Sequence, residues 1–208
     1  MRGRKITAPV TTATLNPPAP NGANGWYTID VAVTLDGADS CTGVASTEYS
    51  IDGGSTWQPY AGSFVISQEG VTTILYRSID RAGNIETAQS LTIKVDKTAP
   101  TIQLSADPSI IRGNNGRPVT VTLSGNGADA VSGLASVSYV VTDEYGTPLS
   151  IAPRVLSGQS ATWTETLNLE ARRNGDDRDG RLYRVTATIT DLAGLTATAT
   201  TDMLVPHD

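Results

Sequence analysis

The chain has 208 residues, a formal net charge of −6 and 38% hydrophobic residues. Its 15 basic residues are scattered among 21 acidic ones, which argues against nucleic acid or an anionic membrane surface as a partner. The only cysteine is Cys41, so an intrachain disulfide is excluded. Thr, Ser and Gly are frequent, and long Glu/Lys/Leu/Ala stretches are missing, which predicts an all-β fold.

The first half of the chain contains short alternating segments separated by Gly, Asp, Asn or Pro. The clearest is "WYTIDVAVTL" from Trp26 to Leu35, and others follow up to "SLTIKV", which ends at Val95. Short strands at this spacing predict an antiparallel β-sandwich. Asp52-Gly53-Gly54 supplies residues suited to a tight turn between two strands, and "DRAGN" at 80–84 does the same further along.

The second half repeats the first. "SIDRAGNIETAQSLTIKVDKTAP" ends at Pro100, and "TITDLAGLTATATTDMLVP" ends at Pro206. "TAP" opens both copies, at Thr7 and at Thr98, and these openings are closer together than the Asp-x-Ala-Gly phrases. The second copy therefore carries about twenty extra residues, which we expect in "TPLSIAPRVLSGQS" and "EARRNGDDRDGR".

The repeat predicts two tandem domains, residues 1–97 and residues 98–208, the second with longer loops. The boundary falls in "DKTAP", where Pro100 lacks an amide hydrogen and restricts its predecessor to extended conformations. A short proline-containing connection limits bending more than a Gly/Ser tether does. We therefore expect a stiff joint.

Two aromatic residues of the second copy have predicted structural roles. Tyr183 opens the penultimate strand, where a tyrosine in an Ig-type sandwich bonds back to the backbone of the preceding corner. Thr72 stands at the corresponding position of the first copy, so the tyrosine corner is expected only in the second. Trp163 is expected to fill the second core.

The first copy resembles a bacterial immunoglobulin-like repeat. The motifs that carry this resemblance are "GWY", "YSIDGG.TW", "Y.S.D.AGN" and "DKTAP", which together cover the chain from Thr7 to Pro100. The second copy departs from it, because it lacks the "DGG.TW" hairpin and has Leu195 where the first copy has Asn84. The resemblance implies two Ig-like sandwiches that belong to a larger exported protein, extracellular or at the bacterial cell surface.

Catalysis is not expected. The only histidine, His207, is next to last in the chain, and no Ser-His-Asp set, Gly-x-Ser-x-Gly motif or P-loop is present. No signal peptide or transmembrane run is predicted, since the basic start "MRGRKI" is not followed by an apolar stretch. If the protein is exported, this chain is then expected to be an internal piece of it.

A calcium site is one binding hypothesis. Asp36, Asp39, Asp80 and Asn84 are predicted on loops at one end of the first sandwich, and Asp129 and Asp191 take corresponding places in the second. Calcium takes about six to eight oxygen ligands, which clustered loops can supply. The alternative is that Asp80 accepts hydrogen bonds from the amides of its own turn.

The loop "NGDDRDGR" at 174–181 also looks acidic enough for calcium. Its register does not fit the EF-hand pattern, since Gly175 stands where the first ligand is needed. Nearby arginines make an internally paired, solvated loop the expected arrangement, with a partial site at Asp176, Asp177 and Asp179 as the alternative.

A carbohydrate platform is the second binding hypothesis. Trp26, Tyr27, Trp57 and Tyr60 could stack on a sugar from one exposed face, or they could pack in the core and corners. The function expected first is structural, as spacer or presentation modules for neighbouring domains. The alternative is a module that binds a glycan or a protein in adhesion, stiffened by calcium.

Overall fold

The computed structural model describes residues 7–113 and 115–207, so the basic segment at 1–6 lies outside the described residues. No part of the described chain is helical. The strands of the first half are β1 (Val10–Asn16), β2 (Val31–Ala38), β3 (Val44–Ser50), β4 (Gln58–Pro59), β5 (Phe64–Ile66), β6 (Gly70–Asp80) and β7 (Gln89–Val95). Those of the second half are β8 (Thr101–Asp107), β9 (Pro118–Ala128), β10 (Leu134–Asp143), β11 (Arg154–Val155), β12 (Ser160–Glu170), β13 (Arg181–Asp191) and β14 (Thr196–Val205).

The chain divides into two compact units, Met1–Lys97 and Thr98–Asp208. Unit 1 has a three-stranded sheet in the order β1-β2-β5 and a four-stranded sheet in the order β4-β3-β6-β7. Unit 2 repeats this order with β8-β9-β12 and β11-β10-β13-β14. All pairings between these strands are antiparallel, and the shared order is that of an Ig-like sandwich, which confirms the predicted fold class.

Alternation of side chains explains why these segments form half-buried strands. In β2 the side chains of Val31, Val33 and Leu35 are buried. Thr34 and Asp36, on either side of Leu35, are exposed. A strand places successive side chains on opposite faces, so one face of β2 enters the core and the other meets water. The same two-residue period runs through β9, β12 and β13.

The core of unit 1 is one apolar cluster. It consists of buried residues from the strands and from the segment before β2: Tyr27, Val31, Val33, Leu35, Ile66, Ile74, Ile93 and Val95. Phe64 stacks on Tyr49 at its margin, with ring centroids 4.1 Å apart. Because each unit has its own core, each can bury its apolar strand faces without the other.

Unit 2 packs its core in two adjacent clusters. One surrounds Tyr183 and Leu169, and the other surrounds Trp163 and Ile189. Trp163 lies opposite Gly125 of β9, where a Cβ atom would come within 2.3 Å of the indole. Glycine at this inward position therefore makes room for the tryptophan, and the prediction that Trp163 fills the second core is confirmed.

The extra residues of the second copy lengthen strands as well as loops. Strand β12 has 11 residues and its counterpart β5 has 3. The connection from β12 to β13 contains most of "EARRNGDDRDGR", as expected, and the connection from β10 to β11 contains the start of "TPLSIAPRVLSGQS". The rest of that second stretch lies in and around β11 and reaches the first residue of β12.

The tyrosine corner of unit 2 is present. The hydroxyl of Tyr183 donates a hydrogen bond to the carbonyl oxygen of Glu170 at 3.1 Å, and the side chain is 1% exposed. Burial raises the pKa of Tyr183 to about 12, so the hydroxyl stays protonated and able to donate. The bond ties the start of β13 to the end of β12.

Removing this hydroxyl should weaken unit 2 alone. We expect Tyr183→Phe to lower the free energy of unfolding of unit 2 by about 1 kcal/mol, since one buried hydrogen bond is lost and little packing changes. Calorimetry or urea unfolding that resolves the two units measures this. The control is Tyr76→Phe in β6 of unit 1, which should leave the unit 2 transition unchanged. An equal loss in both units would contradict the assignment.

Candidate functional site

The carboxylate of Asp39 caps the turn between β2 and β3. Its Oδ1 accepts the backbone N–H of Cys41, Thr42 and Gly43 at 3.0, 2.6 and 2.9 Å. These bonds, first the one from Thr42, hold the pKa of Asp39 below its ordinary value. The positive φ of Gly43, +80°, lets the chain turn back into β3.

Asp80 caps the turn after β6 in the same way. Its Oδ1 accepts the N–H of Ala82 and Asn84 at 2.8 and 2.7 Å, and its Oδ2 accepts the Asn84 side-chain amide at 2.6 Å. Burial alone would raise the pKa of Asp80, but the bonds from Asn84 and from the Thr42 side chain hold it below its ordinary value. Thr42 therefore joins this turn to the Asp39 turn.

Asp36 is not part of this end of the unit. The sequence placed it on a loop, but it lies in β2, exposed and opposite Thr12 of β1. The correction follows from alternation, because Asp36 takes the outward position next to the buried Leu35. Of the four predicted metal ligands, the structure brings together Asp39, Asp80 and Asn84. One carboxylate oxygen of Asp39 and both of Asp80 already accept N–H donors.

The matching aspartates of unit 2 lie closer to one another. Asp129 and Asp191 are 4% and 1% exposed, and a carboxylate oxygen of one lies within 4.8 Å of a carboxylate oxygen of the other. One oxygen of Asp129 accepts the N–H of Gly133 at 2.6 Å, and one of Asp191 accepts the N–H of Leu195 at 2.8 Å. Two buried carboxylate anions at this separation repel each other, and a cation between them would relieve the repulsion.

The expectation of a solvated, internally paired loop at 174–181 is wrong for its last residue, which is buried and pairs outside the loop. Arg181 is 2% exposed and forms a two-fold hydrogen-bonded ion pair with Asp143, at 2.8 and 2.6 Å. Its guanidinium lies between the rings of Tyr145 and Tyr183, 4.6 and 4.7 Å from their centroids. We call Arg181, Asp143, Tyr145 and Tyr183 the Arg181 cluster.

Asp177 is the acidic residue of this loop that contacts the Arg181 cluster. Asp177 accepts a short hydrogen bond from the Tyr145 hydroxyl and another from the N–H of Gly180 at 2.9 Å. The bond from Tyr145 comes first among the causes that hold the pKa of Asp177 below its ordinary value. Asp176 and Asp179 of the alternative partial calcium site flank it in the sequence.

The Arg181 cluster was missed by the sequence reading. A signal was present, since "DEYG" at Asp143 has the same Asp-x-x-Gly spacing as "DRAG" and "DLAG". Asp143 indeed caps its turn through the N–H of Tyr145 and Thr147, at 3.2 and 3.0 Å. Nothing in the sequence distinguishes Arg181 from the neighbouring arginines.

The four aromatic residues of the carbohydrate hypothesis do not share an exposed face. Trp26 and Tyr27 are buried, 7% and 4% exposed, in the segment that runs beside β7. Tyr60 packs at the edge of the core against Phe64. Trp57 is half-buried, and the Arg77 guanidinium lies 3.9 Å from its ring centroid. The expected alternative, core and corner packing, describes Trp26 and Tyr27.

Comparisons with known proteins give structural similarity only. No family model matches the chain, and no curated protein sequence matches it. The fibronectin(III)-like modules of Clostridium thermocellum CbhA align over 94% of both chains with 14% identity and a TM-score of 0.35. The D00-D0 domain of Intimin aligns over 93% of this chain and all of its own, with 17% identity and a TM-score of 0.38.

Larger proteins also contain similar regions. A chain solved for Dscam isoform specificity aligns over 96% of this chain and 46% of its own, with 14% identity and a TM-score of 0.33. Residues 7–113 and 115–207 include no helix long and apolar enough to cross a bilayer.

The Arg181–Asp143 pair should make unit 2 sensitive to acid. Burial raises the pKa of Asp143, but the bonds from Arg181 and Thr147 outweigh it and hold the pKa below its ordinary value. The stability from this pair is present above the unfolded pKa, about 3.9, and is lost as pH falls below it. We expect Arg181→Met to cost unit 2 about 3 kcal/mol at neutral pH, because the buried Asp143 carboxylate loses its counter-charge.

The measurement is urea unfolding of the wild type and Arg181→Met between neutral pH and about pH 3. The stability difference between them should shrink as pH falls. Arg184→Met is the matched control, because Arg184 pairs with Asp202 on the surface and should contribute at most about 1 kcal/mol. A difference that stays constant with pH would contradict the role given to Asp143.

Proposed function

We propose that this chain is a pair of non-catalytic structural modules that space or present neighbouring domains of a larger exported protein, extracellular or at a cell surface. The observation that carries the proposal is the way the end of unit 1 is fixed. The N–H of Asp96 donates to the carbonyl of Tyr27 at 2.8 Å, which holds the chain to unit 1 beyond the last residue of β7.

Lys97 continues this attachment at the last residue of unit 1. Its N–H donates to the Glu69 carboxylate at 2.5 Å, and its ammonium contacts Asp30 and the carbonyl of Ser67, each at 2.8 Å. Unit 2 begins its first strand at Thr101, so only Thr98, Ala99 and Pro100 lie between the fixed end of one unit and the first strand of the next. A connection this short, ending in proline, supports a spacer role.

The use of the polar groups also supports a structural role. The carboxylates of Asp39, Asp80 and Asp143 are committed to amides of their own turns or to an arginine. Catalytic acids and bases need a proton-accepting or proton-donating atom directed at a substrate. The arrangement of these aspartates holds turns instead.

Calcium stiffening is part of the proposal for unit 2. The observation that favours it is the proximity of the buried carboxylates of Asp129 and Asp191. In unit 1 the side-chain amide of Asn84 donates to the second carboxylate oxygen of Asp80, whereas unit 2 has Leu195 at the matching position next to Asp191. Calcium is therefore expected to raise the melting temperature of unit 2 and not that of unit 1.

A spacer predicts a narrow distance distribution between the units. We expect single-molecule energy transfer between dyes at Ser55→Cys and Val155→Cys, in a Cys41→Ser background, to give one narrow peak. Replacing Thr98, Ala99 and Pro100 by glycines should broaden the peak, because glycine frees the backbone at each position.

The control for this experiment is the pair Ala61→Gly and Ser63→Gly, which adds glycine to the exposed connection between β4 and β5 of unit 1. It should leave the distribution unchanged. A wild-type distribution as broad as that of the glycine joint would rule out the spacer.

Calcium should raise the melting temperature of unit 2 and chelation should lower it. At about one hundred times the dissociation constant the stabilisation is about 2.7 kcal/mol. Asp191→Asn should abolish the calcium effect, because it keeps an oxygen acceptor for Leu195 but removes the charge. Calorimetry measures both transitions.

Asp80→Asn is the matched control, since it makes the same change at the equivalent turn of unit 1. It should leave the calcium response of unit 2 intact. If chelation leaves both transitions unchanged, the calcium part of the proposal fails and the spacer part is untouched.

A further inference from the structure

Strand β12 is a long strand at the edge of its sheet. It has 11 residues and pairs with β9 along its whole length without a bulge, from Ser160 opposite Ala128 to Glu170 opposite Pro118. Within residues 7–113 and 115–207, no strand pairs with its other side. The counterpart in unit 1, β5, has 3 residues. Natural proteins usually keep such edges short because an open edge can pair with another chain.

The direction of the backbone groups shows which residues face the open side. The carbonyl of Gln159 accepts from Asp129, towards β9, whereas the carbonyl of Thr164 accepts from Arg154 of β11 on the opposite side. Backbone groups alternate along a strand. The open side therefore carries the N–H and C=O groups of Ser160, Thr162, Thr164, Thr166 and Asn168.

The other edges of unit 2 are better protected. In β14 the carbonyl of Leu204 accepts the N–H of Ile111 at 2.8 Å, and the N–H of Leu204 donates to the carbonyl of Ser109 at 2.9 Å. Strand β8 packs beside β14. On the open side of β12 the nearest strand, β11, has 2 residues. Its Arg154 makes one bond to the β12 backbone, 3.3 Å long, and is 45% exposed.

The side chains on the open edge carry no charge and no proline. Each of the five outward residues is exposed, and all are Ser, Thr or Asn. Edge strands are ordinarily blocked by an outward lysine, a proline or a bulge, none of which interrupts these five. The chain between β10 and β11 places Leu149 and Ile151 against the core, and none of its backbone hydrogen bonds among the described residues goes to β12.

We propose that β12 is the interface for a second copy of this chain, which adds its own β12 antiparallel to the first. A two-fold axis at Thr164 places Thr164 opposite itself, Thr162 opposite Thr166 and Ser160 opposite Asn168. This register pairs all five outward residues, and shifting it by two residues in either direction leaves some unpaired. The two three-stranded sheets then form one continuous sheet across the interface.

The side chains along β12 are compatible with β12 of a second copy as the added strand. In the proposed register the inward Glu165 lies opposite Trp163 of the second copy. Arg154 keeps its ion pair with Glu165, which balances its charge, and leaves the Thr164 carbonyl so that the second strand can pair there. The outer face presents Thr–Thr and Ser–Asn pairs, and hydroxyl side chains directly opposite each other stabilise antiparallel pairs. An isologous interface of this kind closes as a dimer and leaves no β12 edge open.

The first experiment measures dimerisation of the full chain by sedimentation over a wide concentration range. Thr164→Pro removes one N–H from each copy at the centre of the interface, and these groups do not bond to β9. We expect dimerisation to weaken by about 30-fold, as two hydrogen bonds are lost. Thr164→Val keeps both N–H groups and should change it by less than about 3-fold.

The second experiment tests the register. In a Cys41→Ser background, Thr164→Cys places two cysteines opposite each other, with Cα atoms about 5.5 Å apart, within reach of a disulfide. Thr162→Cys places its two cysteines about 14 Å apart along the strands, beyond that reach. We expect oxidation to link Thr164→Cys into dimers and to leave Thr162→Cys mostly monomeric.

Melting temperatures of all variants check that the fold survives each substitution. A wild-type chain that stays monomeric at every concentration overturns the proposal. A dimer that Thr164→Pro leaves intact while the fold is retained also overturns it, because the contact then lies elsewhere. Equal crosslinking of Thr162→Cys and Thr164→Cys overturns the register.

Discussion

The structure depends on aspartates that accept hydrogen bonds from the backbone of the turn that follows them. Asp80, Asp143 and Asp191 each begin an Asp-x-x-Gly turn in which the N–H four residues on donates to the carboxylate and the glycine N–H donates to the aspartate carbonyl. Asp39 and Asp129 also accept the N–H four residues on, which here belongs to a glycine, Gly43 or Gly133. Hydrogen bonds to a charged acceptor are stronger than those between neutral groups, and they fix where each strand ends and therefore which strands can pair. They also explain why the sequence contains the same phrase in both halves.

Neither unit has a disulfide, and each connects its strands through a different buried polar group. In unit 1 the Glu86 carboxylate is 6% exposed and accepts the N–H and hydroxyl of Thr11 and the N–H of Ser78, which joins the first strand to the sixth. In unit 2 the corner is held by Arg181 between two tyrosine rings. In each case the charged group has several donors or acceptors, which is the condition under which a buried charge can be retained. Both networks connect strands of different sheets or their ends, where a disulfide would otherwise be useful.

The sequence predicts the parts of the structure that depend on local patterns. Alternation in β2 and β13, the aspartate turns and the corner at Tyr183 all follow from residues near one another in the chain, and the fold class follows from them. Arg181 could not be found in this way, because its burial depends on Asp143 and Tyr145, which are distant in sequence. The metal hypothesis placed Asp36 on the loop after β2, whereas Asp36 lies inside β2, near its end. The aromatic hypothesis failed for Trp26 and Tyr27, since they precede β2 and are buried where the chain runs beside β7, a contact distant in sequence.

The difference between the two units indicates a difference in their roles. A module that only separates its neighbours has no need of a long strand with open backbone groups, and unit 1 follows this rule with a three-residue β5. Unit 2 extends the same strand to 11 residues, and its partner β9 is also 11 residues long. The extension adds Leu167 and Leu169 to the core, so it stabilises the unit, but it also extends an edge that a shorter strand would limit. The inward glycines of β9, Gly125 and Gly127, keep this sheet closely packed on Trp163 and Ile189 and so hold the edge in a regular conformation. A regular edge of this length is what an added strand requires, which fits the proposed contact through β12.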